Sequence, residues 1–152
     1  MVSCKFYDTL PREAHFIREE VFVREQGFQN EFDETDNNAL HLVVYYNNEP
    51  AATARIFPSE RDNFYTAGRI AVLQQYREKK LGRYIMAQLE EKALGLGAAG
   101  IELSAQCRVR GFYEKCGYAA EGDIYLDEFC EHIHMVKNLA VECIKNSKSI
   151  HR

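Results

Sequence analysis

The stretch Arg69-Ile70-Ala71-Val72-Leu73-Gln74-Gln75-Tyr76-Arg77-Glu78-Lys79-Lys80-Leu81-Gly82-Arg83 decides how the chain is read. It runs from an apolar strand end (Ile70-Ala71-Val72) through a tight polar turn into a helix whose first turn holds Gly82. The first amide N–H groups of a helix have no partner within it, and the aligned backbone dipoles leave partial positive charge there. Such an end suits a pyrophosphate, and a glycine lets backbone approach a ligand with no Cβ between them. Arg77, Lys79, Lys80 and Arg83 add four positive charges within seven residues. On these residues alone a solvated basic helix start explains the pattern equally well, because like-charge runs usually face water.

Outward from this stretch the chain alternates strand and helix signals. Upstream, Tyr65–Val72, Ala51–Phe57 and Leu40–Tyr46 are rich in β-branched and aromatic residues, and the turn sequence Asn47-Asn48-Glu49-Pro50 separates the latter two. Phe28 to Asn38 is polar and acidic, an ordered loop or short helix. Before it, Phe16, Ile17, Glu20 and Val21 follow helical spacing, with Asp8 or Thr9 as cap, Pro11 at the helix start and Gly27 as stop. Ser3–Tyr7 opens the chain as a short strand.

Downstream, Leu81, Ile85, Met86, Leu89 and Ala93 form one helical stripe that Gly95 and Gly97 end. Gly100–Ala105 reads as a buried strand and Val109 to Cys116 as a short helix closed by Gly117. Ala119–Tyr125 and His132–Val136 make a final antiparallel pair, and residues 140–152 form a tail. The order β-α-β-β-β-α-β-α-β-β predicts an α/β (α+β) fold, a mixed, mostly antiparallel central sheet with helices on both faces. One domain over residues 1–139 follows.

Composition bounds the function. The 152 residues are 46% hydrophobic and 28% charged, an ordinary globular balance. A net charge of −4 argues against nucleic acid as the main partner. No apolar run approaches a spanning helix and Met1–Lys5 lacks a signal peptide's apolar stretch, so no membrane association is expected. Five scattered cysteines, an odd number without a C-x-x-C pair, fit a reduced cytoplasmic setting.

The segment Arg77–Gly82 resembles the acyl-CoA signature of the GNAT N-acetyltransferases, Gln/Arg-x-x-Gly-x-Gly/Ala, with Lys80 standing where the first glycine belongs. Gln106 to Tyr118 is similar to a second block of that family, matching at Phe112, Tyr113, Glu114, Lys115, Gly117 and Tyr118 and differing at Gln106 and Val109. The N-terminal half, from Arg18–Gln26 through Glu31, Asp33, Asp36 and His41, resembles the ElaA/YjcF-like branch, as do Ala54-Arg55-Ile56 and Gly68-Arg69-Ile70. The resemblance implies acetyl-CoA as acyl donor, no metal, and transfer to a primary amine of a small molecule or peptide. It places the pantetheine arm along Ile70, Ala71 and Val72. The pyrophosphate falls to Arg77, Glu78, Lys79, Lys80, Leu81, Gly82 and Arg83, with Gln106 also on the donor.

Transfer from a thioester to an amine needs a proton for the leaving thiolate, and a positioned phenol can supply it. The resemblance gives that role to Tyr113, which otherwise reads as a packing tyrosine. Glu25 and His41, with Asp33 and Asp36, are the candidate bases, and a surface charge or a cap is the plainer alternative for each. Asp33 and Asp36 in the acidic loop, with Arg55 and Arg69 on strands, are expected to bind the acceptor or to pair with one another. His132 and His134 share a strand face, too few ligands for zinc. An acyl-homoserine-lactone-type synthase and a CoA-binding module without turnover are the alternatives; a monomer or homodimer fits either.

Overall fold

The computed structural model describes residues 1–139, so the expected tail lies outside the described residues. The elements are β1 (Val2–Tyr7), α1 (Arg12–Arg18), a π-helical segment (Glu19–Glu25), a 3-10 turn (Glu34–Asn38), β2 (Leu40–Tyr46), β3 (Glu49–Pro58) and β4 (Phe64–Val72). A 3-10 turn (Gln74–Lys79), α2 (Leu81–Gly95), β5 (Gly100–Gln106), a 3-10 turn (Cys107–Val109), α3 (Arg110–Lys115), β6 (Ala119–Asp127) and β7 (Cys130–Asn138) complete them. The strand and helix order is the one expected, and the class is mixed α/β with mostly antiparallel pairing.

The chain divides into two compact units. The first comprises Met1–Phe57 and Ala67–Ala87, with strands in the order β1-β2-β3-β4. Its core forms around β2, whose Leu42, Val43 and Val44 are fully buried although they point alternately to opposite sides. A strand covered on both faces accepts a continuous apolar run, which is what Leu42–Val44 supplies. Ala14, Ile17, Arg18 and Val21 are buried on the helical segment, at helical spacing of one face.

The second unit comprises Pro58–Thr66 and the described residues from Gln88, with strands in the order β5-β7-β6. Ile101, Leu103 and Ala105 of β5 are buried with Ile133 and Met135 of β7, whose register pairs Leu103 with Met135 and Ala105 with Ile133. β6 has only β7 beside it and is exposed along almost its whole length. Among the described residues no helix is long and apolar enough to cross a membrane.

Two local expectations are corrected. Pro11 is the residue before α1, extended at φ −78° and ψ 156°, and no side chain caps the helix, so Asp8 and Thr9 have no capping role. The pyrrolidine cannot donate, but the Pro11 carbonyl accepts from His15 N–H at 3.0 Å and so starts the ladder by itself. The helix expected to continue to Gly27 widens to π geometry from Glu19. Gln26 N–H then reaches back to the Val21 carbonyl at 3.1 Å, and Gly27 ends the run at φ +86°.

A tight spot in the second unit gives a direct check. A Cβ added at Gly100 would meet the Phe64 ring and, at 2.7 Å, the carbonyl of Lys137. Gly100→Ala should cost about 1–3 kcal/mol, as overpacking in a fixed core does, read as a lower midpoint in urea unfolding. An unchanged midpoint would mean that the Phe64 ring and the Lys137 backbone both give way at little cost.

Candidate functional site

In the first unit the strand end, the turn and the start of α2 form one continuous feature. The 3-10 turn closes on Lys80, which is left-handed at φ +59° and ψ +31°. A residue with a Cβ pays roughly 1–2 kcal/mol for that conformation, so this is where a glycine is at home. A left-handed residue directly after a helical turn also directs successive N–H groups to one side, making a concave anion site. Lys80 therefore keeps the backbone shape that the signature's glycine would give, and α2 follows with Leu81 buried and Gly82 second.

The four basic side chains of the turn divide into two pairs. Arg77 donates from both Nη atoms to Glu25, at 2.6 Å each, and from Nε to the Val72 carbonyl at 3.0 Å. Lys79 lies over the Tyr46 ring, 5.4 Å from its centroid. Lys80 and Arg83 are exposed and make no salt bridge to any described residue. Glu78 is exposed as well. The net positive field of the turn thus comes from Lys79, Lys80, Arg83 and the backbone, because an aromatic ring does not cancel an ammonium's charge, whereas Glu25 balances Arg77.

Beside this feature, still in the first unit, the acidic loop closes on a buried charge cluster. Arg18, only 1% exposed, donates Nε to Glu31 at 2.9 Å and Nη1 to Asp36 at 2.7 Å. Arg55 donates Nη1 to Asp33 and Asp36 at 2.7 and 2.8 Å. Arg69 sits at φ +51° within β4 and brings its Nε to 2.9 Å from Glu31 and Nη2 to 3.3 Å from Asp33. Three arginines thus meet three carboxylates, which is how buried charge is tolerated. Asp33 and Asp36 also complete a capping box at the start of the 3-10 turn.

The cluster sets protonation in opposite senses. Burial pushes the Asp36 carboxyl up, but hydrogen bonds from Arg18 and then Arg55 outweigh it and hold the pKa down to about 2. For Glu31 burial wins over Arg69 and Arg18, and the pKa is raised. His41 is 1% exposed, and burial lowers its pKa, so the ring is neutral. Its Nε2 lies 2.9 Å from the Asp36 carbonyl, which only accepts, so Nε2 carries the proton.

In the second unit Tyr113 of α3 is buried, its ring held edge-on by Phe112 and Tyr118 at 5.1 and 6.1 Å between centroids. Burial, then the neighbouring Cys116, raises its pKa, so the phenol keeps its proton. Tyr118 donates its hydroxyl to Glu90 at 3.0 Å, whereas the Tyr113 hydroxyl has no hydrogen-bond partner among the described residues. Gln106 accepts from Arg108 Nε at 3.0 Å. His132 Nδ1 lies 3.0 Å from the Cys130 carbonyl, and His134 Nε2 lies 2.8 Å from Glu102. No group of three metal-ligating side chains occurs among the described residues.

The structure therefore brings Asp33, Asp36, Arg55 and Arg69 together, and separately joins Glu25 to Arg77. Arg18 and Glu31 belong to the same cluster but were not among the expected site residues. Arg18 had a legible signal, since it shares a helical face with Ala14, Ile17 and Val21, where an arginine must find partners.

The family model described as "Acetyltransferase (GNAT) family" matches residues 5–118. The uncharacterized N-acetyltransferase YjcF of Bacillus subtilis is 36% identical over 130 residues, covering 84% of this chain and 91% of its own. Protein ElaA of Escherichia coli is 28% identical over 128 residues, 81% of this chain and 84% of its own. The ElaA crystal structure superposes with a TM-score of 0.80, covering 91% of this chain and all of its own. A Bacillus subtilis acetyltransferase solved in complex with CoA shares the fold alone, at 15% identity and a TM-score of 0.72 over 91% of this chain and 99% of its own.

Two outcomes test this geometry. Asp36→Asn leaves Arg18 and Arg55 undercompensated and should cost about 3–5 kcal/mol in unfolding. Because the folded Asp36 titrates below its ordinary value, its contribution is complete above about pH 4 and lost as pH falls toward 2. Acid unfolding of the wild type should steepen across that window, and the same slope in Asp36→Asn would remove Asp36 as its source. Lys80→Gly should leave stability equal or higher by about 1 kcal/mol, relief of a left-handed side chain exceeding glycine's entropy cost. Loss of CoA binding in Lys80→Gly, measured by calorimetry, would show that the ammonium and not the backbone makes the cradle.

Proposed function

The chain belongs to the acetyltransferase (GNAT) family and is an acetyl-CoA-dependent N-acetyltransferase, and from that premise we propose that it acetylates a primary amine by direct attack within a ternary complex. We take residues 1–139 as the acetyltransferase domain. Ile70, Ala71 and Val72 hold the pantetheine arm through backbone groups. The turn from Arg77 to Arg83 holds the pyrophosphate, chiefly through amides shaped by Lys80 and Gly82 and through the charges of Lys80 and Arg83. Gln106 contacts the donor from the strand before α3.

The acceptor nitrogen attacks the thioester carbonyl, a C–N bond forms as the C–S bond breaks, and sulfur leaves as thiolate. Tyr113 gives that thiolate its proton and recovers one from the acylated nitrogen through solvent. The observation that supports this role is the contrast between the two tyrosines. The Tyr118 hydroxyl is engaged by Glu90, while Tyr113, a buried side chain, keeps its phenol proton and its hydroxyl has no hydrogen-bond partner among the described residues. An acid must still hold its proton when the thiolate forms, which the raised pKa secures, and the same shift makes Tyr113 a weaker donor than an ordinary phenol.

Glu25 is held in a bidentate ion pair and His41 is enclosed with Nε2 turned to a carbonyl, so neither is assigned the base. The acceptor enters as its neutral amine, having lost its proton to solvent. Asp33 and Arg69, the more exposed members of the cluster at 40% and 24%, face the acceptor, while Arg55, itself held by Asp36, fixes Asp33 and Glu31 fixes Arg69. The partner is a small-molecule or peptide amine.

Tyr113→Phe removes one hydroxyl and should lower kcat about a hundredfold or more while the CoA dissociation constant stays constant. The acid limb of the kcat/KM profile should follow the acceptor's own pKa when acceptors of different basicity are compared. No fall attributable to Tyr113 should appear below its ordinary value of 10.0, because the shift is upward. Wild-type kcat in Tyr113→Phe would return that residue to packing alone.

A further inference from the structure

We infer that Glu25 is a positioning residue for the donor turn, acting through Arg77, and not the base of the reaction. The inference rests on the acetyl-CoA reading of that turn. Glu25 is the last residue of the π-helical segment, and its two oxygens meet the two Nη atoms of Arg77 end-on at 2.6 Å each. The same guanidinium turns its Nε to the Val72 carbonyl at 3.0 Å, at the end of β4. One planar group therefore ties three pieces of backbone: the end of the π-helical segment, the strand end and the turn that opens α2. Fork-to-fork geometry fixes the orientation of both planes, which a lysine in place of Arg77 would not do.

The local backbone supports the same conclusion. Seven residues of π geometry are uncommon, since i→i+5 bonds occur mostly as single widened turns. The sequence Glu19-Glu20-Val21-Phe22-Val23-Arg24-Glu25 holds neither proline nor glycine to force the widening. Widening changes the direction in which each side chain leaves the axis, and here Glu25 ends opposite Arg77. Meanwhile the charge of Arg77 is balanced by Glu25, and the hydrogen bond from Glu25's partnership raises the guanidinium's pKa further. Arg77 thus fixes the turn against its neighbours, while Lys79, Lys80 and Arg83 leave it positive.

The clasp is half exposed, so its effect on the donor is modest but specific. Glu25→Ala and Glu25→Gln should each weaken CoA binding about fivefold, the size of one well-oriented exposed pair. Their kcat at saturating acetyl-CoA and the acid limb of the pH profile should match wild type. Arg77→Lys, which keeps the charge but cannot make the two-pronged contact with Glu25 and the Val72 carbonyl together, should lose a similar amount. A collapse of kcat with a flattened acid limb and unchanged CoA affinity would make Glu25 the base and overturn the inference. Unchanged affinity and unchanged turnover in both Glu25 variants would overturn it too, leaving an idle surface pair. Failure of the wild type to bind CoA at all would instead count against the acetyl-CoA reading, so the two failures are told apart.

Discussion

Arg18 cannot be buried alone. A guanidinium taken from water into the interior must be met by charge and by hydrogen-bond acceptors, or the cost runs to several kcal/mol. Ala14, Ile17 and Val21 carry Arg18 inward on the buried face of α1 and the segment after it, so the compensation has to be brought to it. The acidic loop does this. Glu31 reaches Arg18 with side chain and carbonyl, and Asp36 reaches it with both oxygens. Phe32 covers the guanidinium face at 4.8 Å and stacks on His15. A segment with few apolar residues of its own is thereby fixed in one conformation.

The remaining members of the cluster follow from that anchor. Once Asp36 is held by Arg18, its second partner is Arg55, and Arg55 in turn holds Asp33. Glu31, held from one side by Arg18, is met from the other by Arg69. Arg69 achieves this from a left-handed conformation inside β4, where a non-glycine residue pays for its place. The strain and the ion pairs occupy the same residue, so the backbone irregularity of β4 is maintained by the electrostatics of a distant loop. The neutral His41 beneath Asp36 fits this scheme, since a fourth cation would unbalance the cluster.

Much of the frame was legible because it rests on local pattern. The Leu81, Ile85, Met86, Leu89, Ala93 stripe is buried as its spacing implies, and the Leu40–Tyr46 strand has the expected bounds. What was not legible rests on partners far apart in sequence. The π geometry of Glu19–Glu25 has no local signal, for its residues would serve an α-helix equally well. The pairing of Glu25 with Arg77 spans 52 residues, and no periodicity reports it. Arg18 is the intermediate case, placed on the buried face by spacing but given its purpose only by residues 31 and 36.

Lys80 shows how a departure from a motif separates shape from chemistry. Judged by composition, exchanging the first glycine for lysine leaves Gly82 as the motif's remaining glycine for a close approach of backbone to phosphate. The φ of +59° shows that the shape survives the exchange, at the cost of holding a Cβ in a poor region. In return the position gains an ammonium with no salt bridge to any described residue, in a chain whose net charge is −4. Charge free at that point is worth more than charge elsewhere on an acidic surface, because a local field and not the net charge governs the last approach of an anion. Arg77, first in the same short run of positive charge, is neutralised by Glu25, and the two arrangements complement each other. The turn keeps its form through the Glu25–Arg77 pair and the left-handed Lys80, and its attraction through the charges that make no salt bridge to any described residue, so Lys80 serves both tasks.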